Sequence, residues 1–346
     1  MRLLRHVALI ACFLPLPAAA EALVVESRQI PYFHVASGNA TFGNLTYVGG
    51  LVMDSDNSLF GSLSSIRFRP DGRHFVGVLD TGHWITGAIE RDGEGRLSGL
   101  SEVDITSMVG ANGRADQDKW RVDAEGLALR DGKAIVSFEQ MHRIDAYPDP
   151  GFETSPPVGS IAFPIPVREL RRNGGFETLV VAPKDSPLKG GLLVIAEKSV
   201  DDAGNMLAAI LDGPRKGQFT VKRSDRYDIT DGAFLPDGDL LLLERRFELS
   251  TGLGMRIRRI NGADIRPGAV IDGEILMEAG LGYQIDNMEG LDVIEAEDGS
   301  TRLIVTSDDN HSMLERNLML EFRLSEPHPG SATNENVAPP KGSATQ

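Results

Sequence analysis

A chain of 346 residues with 35 Lys and Arg against 50 Asp and Glu carries a formal net charge of −15. Its surface therefore repels nucleic acid and anionic lipid, and holding a polyanion would need a local basic site or a bound cation. The single cysteine, Cys12, excludes a disulfide framework from the rest of the chain and leaves it no thiol nucleophile.

At the amino end Arg2 and Arg5 precede an apolar run from Val7 to Leu16, and Ala18-Ala19-Ala20 offers small residues before Glu21. This is the pattern of a secretory signal peptide over residues 1–20, with cleavage after Ala22 fitting nearly as well, and it places the mature protein in the periplasm or outside the cell. Leu9-Ile10-Ala11-Cys12 resembles a lipobox, but the apolar run ahead of it is short, so a lipid anchor is the lesser reading. No later stretch is long enough to span a bilayer.

Strand grammar follows. Short runs of β-branched and aromatic residues alternate with Asp-Gly, Pro-Asp-Gly and Asn-Gly turns, and no helical period is sustained, so the chain reads as all-β. The segment Leu23 to Ile30 is a candidate outer strand that closes a ring, while residues 31 to 60 could hold further strands. A unit from Ser64 predicts strands over Ile66 to Phe68, His74 to Leu79, Trp84 to Ile89 and Leu97 to Ile105. A later unit predicts Gly232 to Leu235, Asp239 to Arg245, Met255 to Ile260 and Val270 to Met277. Its Leu240 to Leu243 is apolar throughout, as in a strand covered on both faces. The last unit runs out after its third strand, Asn317 to Leu324, and the Pro, Gly, Ser, Asn and Ala beyond Ser325 read as a disordered tail. Four-strand units recurring at about fifty residues point to a β-propeller of five legible repeats, five or six blades, forming one domain over 23–325.

One module recurs through these units. Asp123-Ala124-Glu125-Gly126-Leu127 leads through a turn at Asp131-Gly132 to Glu139, and folding the hairpin about its turn brings Glu125 and Glu139 to the same end. Glu289-Gly290-Leu291 closes on Asp308-Asp309, Asp231-Gly232 on Glu244 and Glu177-Thr178-Leu179 on Glu197. The first copy opens on Ser64-Ser65 and closes on Asp80. In a propeller the first strand of each blade lines the channel, so these acids are expected around one mouth.

So many carboxylates raise one another's pKa unless cations neutralise them, and hard oxygen donors without cysteine favour Ca²⁺ or Mg²⁺. The expected metal ligands are Glu125, Glu139, Glu177, Asp231, Glu244, Glu289 and Asp308. Basic or imidazole side chains follow nearly every closing acid: His83, His142-Arg143, Lys198, Arg245-Arg246 and His311. Acids around a cation with guanidinium groups alongside suit a phosphate ester, with Arg143, Arg245 and Lys198 gripping the anion and Glu125, Glu139, Glu289, His83 and His311 as candidate catalytic groups. The acids also have a purely architectural reading, in which each Glu-Gly-Leu bonds the neighbouring blade. No Gly-x-Ser-x-Gly elbow, His-Glu-x-x-His, P-loop or dinucleotide fingerprint is present.

Taken in order, Gly61-Ser62-Leu63-Ser64 with Asp80-Thr81-Gly82, Asp123 to Leu127 with Glu139, Asn173-Gly174-Gly175-Phe176-Glu177-Thr178-Leu179, Leu243-Glu244-Arg245, Asp286 to Leu291 and Ser307-Asp308-Asp309-Asn310 resemble the bacterial phytase-like family, called "esterase-like activity of phytase". The chain departs from that pattern at Thr178, where Gly is usual, and at Thr81-Gly82-His83. The resemblance implies an exported β-propeller with phosphoesterase or esterase activity and a small-molecule ester as partner; a monomer is expected. The alternatives are a non-enzymatic propeller that binds a small ligand or cell-envelope partner, and a calcium-dependent lactonase or carboxylesterase.

Overall fold

The computed structural model describes residues 23–115, 118–248, 250 and 252–325. The expected signal peptide, with Cys12, and the expected disordered tail from residue 326 lie outside the described residues. Five small antiparallel sheets make a five-bladed propeller with almost no helix. Blade I is Leu63–Phe68, His74–Leu79, His83–Arg91 and Leu97–Ser107. Blade II is Ala124–Arg130, Lys133–Phe138, Arg143–Pro148 and the short Gly159–Ser160. Blade III is Phe176–Val181, Leu192–Val200, Met206–Ile210 and Gly217–Val221, and blade IV is Asp228–Phe234, Leu240–Glu248, Gly252–Ile260 and Glu274–Ala279. Blade V takes Asn287–Glu295, Thr301–Asp308 and Asn317–Leu324 from the end of the chain.

The ring closes differently from the sequence expectation. Leu45–Asp54, not Leu23 to Ile30, supplies the fourth strand of blade V, pairing along Asn317–Leu324. Glu26–Ile30 is a fifth strand outside it. The physical reason is burial: Leu45, Tyr47, Leu51 and Met53 fill the blade V core, whereas Glu26–Ile30 buries only Ile30. Residues 31 to 60 therefore belong to the closure, and there is no sixth blade among the described residues. A second correction concerns Val270 to Met277. Val270–Ile271 pairs in parallel with Thr220 and Val221 at the edge of blade III, and only Glu274–Ala279 edges blade IV.

Five apolar clusters fill the five gaps between neighbouring blades. Leu240 to Leu243 has no exposed surface, matching its continuous apolar run. The glycine of the Glu-Gly-Leu module follows from this close packing. A Cβ on Gly126 would lie 2.5 Å from the Glu177 carbonyl oxygen and 2.6 Å from Ser137 Oγ, so only glycine lets blade II meet blade III.

Candidate active site at the acidic mouth

Each innermost strand carries a β-bulge at the same place: between Leu63 and Ser65, Ala124 and Leu127, Phe176 and Thr178, Ile229 and Asp231, and Met288 and Gly290. A bulge sets two residues against one and re-aims the extra side chain. Two rungs define equivalent positions. The residues two before the bulge, Ser62, Asp123, Gly175, Asp228 and Asn287, pair with Asp80, Glu139, Glu197, Arg245 and Asp308. The bulged positions are Ser64, Glu125, Glu177, Thr230 and Glu289. The closing position of blade IV is thus Arg245 and not Glu244, and its leading position is Thr230 and not Asp231.

Asp231 and Glu244 accordingly sit outside the acid ring. Both Asp231 oxygens face Arg67, at 2.7 and 2.8 Å, and also accept Leu291 N, Gly232 N and Ser65 Oγ. The Arg67 guanidinium bonds the carbonyls of Leu179, Gly232 and Leu291 as well, so this pair ties blades I, III, IV and V across the channel axis. Glu244 is buried inside blade IV between Arg256 and Arg258. With its oxygens taken by two guanidinium groups, neither it nor Asp231 joins the mouth.

The ring itself is unevenly neutralised. On the blade III to V side Arg245 bridges Glu197 and Glu289, each at 2.9 Å, and Lys198 holds Glu197 at 2.6 Å. Asn287 Nδ2 donates to Glu289 at 3.0 Å. On the blade II side Asp123, Glu125 and Glu139 bring one oxygen apiece within 4.8 Å of one another. Glu139 accepts from the backbone of Gly174 and Gly175, the latter at 3.0 Å, and Asp123 accepts from Gln140 Nε2 at 2.6 Å. Among the described residues no hydrogen bond or ion pair reaches Glu125 or Glu177.

Burial, and then the neighbouring carboxylates, push Glu125 and Glu177 well above the usual range. Burial also raises Asp123 and Glu139. It lifts Glu289 to about 8 despite Arg245, and lifts Asp308 to about 7, with Asp80 and Asp309 adding to the rise. Protons or a cation must offset this charge. Three converging carboxylates, two of them buried and all held above their normal pKa, fit a hard divalent cation. This acidic cluster could hold a metal ion.

The remaining expected residues divide between the mouth and its surroundings. Arg245 lies in the ring and Lys198 at its edge. Arg143 is one strand further out, paired with Asp145 at 2.8 Å and stacked on the Phe138 ring. His83 is half-buried beside Thr81 Oγ1 at 3.0 Å, and burial lowers its pKa. His311 is exposed on the loop after Asp308, its backbone N–H donating to Asp309. His142 packs against Gly175, where a Cβ would lie 2.7 Å from its Cε1. Asp123 is the candidate ligand that sequence reasoning passed over. It stands in the opening pentapeptide, and its signal was the i, i+2 relation to Glu125, which a bulge converts from one face of a strand into one cluster.

A family model described as phytase-like, "esterase-like activity of phytase", matches residues 58–311. No curated protein matches the chain. Among solved structures, a Cps50 (Swd1) β-propeller domain from Myceliophteria thermophila is 11% identical at a TM-score of 0.35, over 72% of this chain and 64% of that one. An endo-arabinase from Bacteroides thetaiotaomicron is 12% identical at 0.43, over 75% and 93%. A PQQ-bound aldose sugar dehydrogenase from Streptomyces coelicolor is 13% identical at 0.41, over 87% and 99%. Likeness at this level says nothing about what the chain acts on.

Proposed function

Because the chain belongs to the phytase-like family, we propose that it is an exported hydrolase whose acidic mouth holds Ca²⁺ or Mg²⁺ and acts on small-molecule phosphate esters. The observation that carries this reading is the uneven neutralisation of the ring. Asp123, Glu125 and Glu139 converge within 4.8 Å with no cationic side chain bonded to any of them among the described residues, the nearby Lys119 being paired with Asp80 at 2.8 Å, while the opposite side is already paired with Arg245 and Lys198. A divalent cation held by these three acids would polarise a phosphoryl oxygen and offset the charge that otherwise repels an anion.

The chain's own groups divide the remaining work. Lys198, partly exposed and paired with Glu197 alone, attracts the other anionic oxygens across the mouth from the three acids, while Arg245, bonded to Glu197, Glu289 and Asn287, holds that side of the ring in place. Glu289 at about 8 and Asp308 at about 7 exchange protons near neutrality, as a group that activates water or protonates a leaving oxygen must. His83 and His311 are secondary proton carriers at the rim, and Arg143, held by Asp145, takes no part. Export rests on the leader sequence alone.

A substrate screen of the mature protein in Ca²⁺, in Mg²⁺ and in EDTA tests the reading. Metal-dependent turnover of phosphate monoesters or diesters is expected. Turnover of lactones or carboxylic esters but not phosphates would replace the substrate class, and no turnover of any ester would leave a binding propeller.

A further inference from the structure

The same register that builds the acidic mouth builds a different one at the other end of the channel. Four residues beyond the bulged positions stand Phe68, Leu129, Val181, Phe234 and Val293, one from each blade. Each is only partly buried, packing against a different one of the five inter-blade cores. They surround a cavity of about 550 Å³, a size that suits a small organic molecule. The Arg67–Asp231 pair stands between this cavity and the acidic mouth, so the two ends are separate sites.

The ring just inside is also apolar at Ala128, Val180 and Ala233, and is broken by Arg67 and Asp292. The terminal nitrogens of Arg67 are engaged by Asp231 and by backbone carbonyls, leaving them nothing for a ligand anion. Asp292 keeps capacity: it accepts from Phe68 N at 2.6 Å and from Val293 N, with the Arg67 charge nearby, and a carboxylate has further lone pairs. Glu295, exposed at the cavity edge, adds a second negative charge. The cavity therefore offers apolar side chains from all five blades with polar surface between them, and two carboxylates, Asp292 low in it and Glu295 at its edge.

We propose that this second mouth binds a small molecule with an apolar body and a single ammonium group, the body against the five-residue apolar ring and the ammonium on Asp292. The proposal is independent of what the acidic mouth does. Binding of phenylbutylamine, phenylbutanol and phenylbutanoate, one body with three heads, to the full mature protein tests it by calorimetry or ligand-observed NMR. The amine is expected to bind most tightly. Asp292→Asn, which can still accept from Phe68 N, should weaken the amine about tenfold and leave the alcohol unchanged. Val181→Trp should block all three probes, and Glu125→Gln and EDTA should affect none. Absence of saturable amine binding, equal binding of the carboxylate, or indifference of the amine to Asp292→Asn would overturn it.

Discussion

Glu125, Glu177 and Glu289 occupy equivalent bulges, yet among the described residues only Glu289 is joined in an ion pair, with Arg245. Their consequence for stability has a definite sign. An acid whose folded pKa lies above its unfolded value costs nothing below the unfolded pKa, and its cost grows as pH rises toward the folded value. With Glu289 moved from 4.5 to about 8 and Asp308 from 3.8 to about 7, metal-free protein should lose thermal stability steadily between those limits. Melting temperatures measured against pH in EDTA check this, and saturating Ca²⁺ should flatten the decline. Glu125→Gln should raise the melting temperature of the metal-free protein at neutral pH by relieving repulsion, and should remove most of the gain from Ca²⁺. The acids themselves were legible in the sequence. Their exact register was not: a bulge shifts a position by one residue without changing composition, so Asp231 stood in for Thr230 and Glu244 for Arg245.

Among the elements, the second and third strands of blade IV hold a fully buried Arg256–Glu244–Arg258 triad. Removing one member of such a group strands a buried charge, so Glu244→Gln should cost about 3 to 5 kcal/mol in chemical denaturation. Loss of activity without loss of stability would instead return Glu244 to the mouth. Gly126→Ala forces a Cβ onto the blade III backbone and should cost about 1 to 3 kcal/mol by the same measurement. The turns were the most readable elements, because Asp131-Gly132 and Pro236-Asp237-Gly238 fix where a hairpin reverses. Val270 and Ile271 misled because β-propensity marks a strand but not its sheet: the run read as one strand is divided at Asp272-Gly273, and a Cβ on Gly273 would meet the Arg259 carbonyl.

For the whole molecule, the ring depends on joining the ends of the chain. Starting the mature chain at residue 31 removes only an edge strand and should leave a folded propeller with a lower melting temperature. Starting at residue 55 removes the fourth strand of blade V and exposes its core, and should leave no cooperative unfolding transition by circular dichroism. The propeller was readable from the repeat, but its closing strand was not, since pairing between residues 45–54 and 317–324 leaves no local trace. Closure sets five inner strands side by side, and that gathers acids from separate blades into one mouth. Calorimetric titration of the metal-free mature protein with Ca²⁺, beside Asp123→Asn and Glu125→Gln, tests this most directly. Saturable binding in the wild type, lost in both variants while their folds remain intact, is the result predicted, and no binding by the wild type, or binding untouched by either substitution, would contradict it.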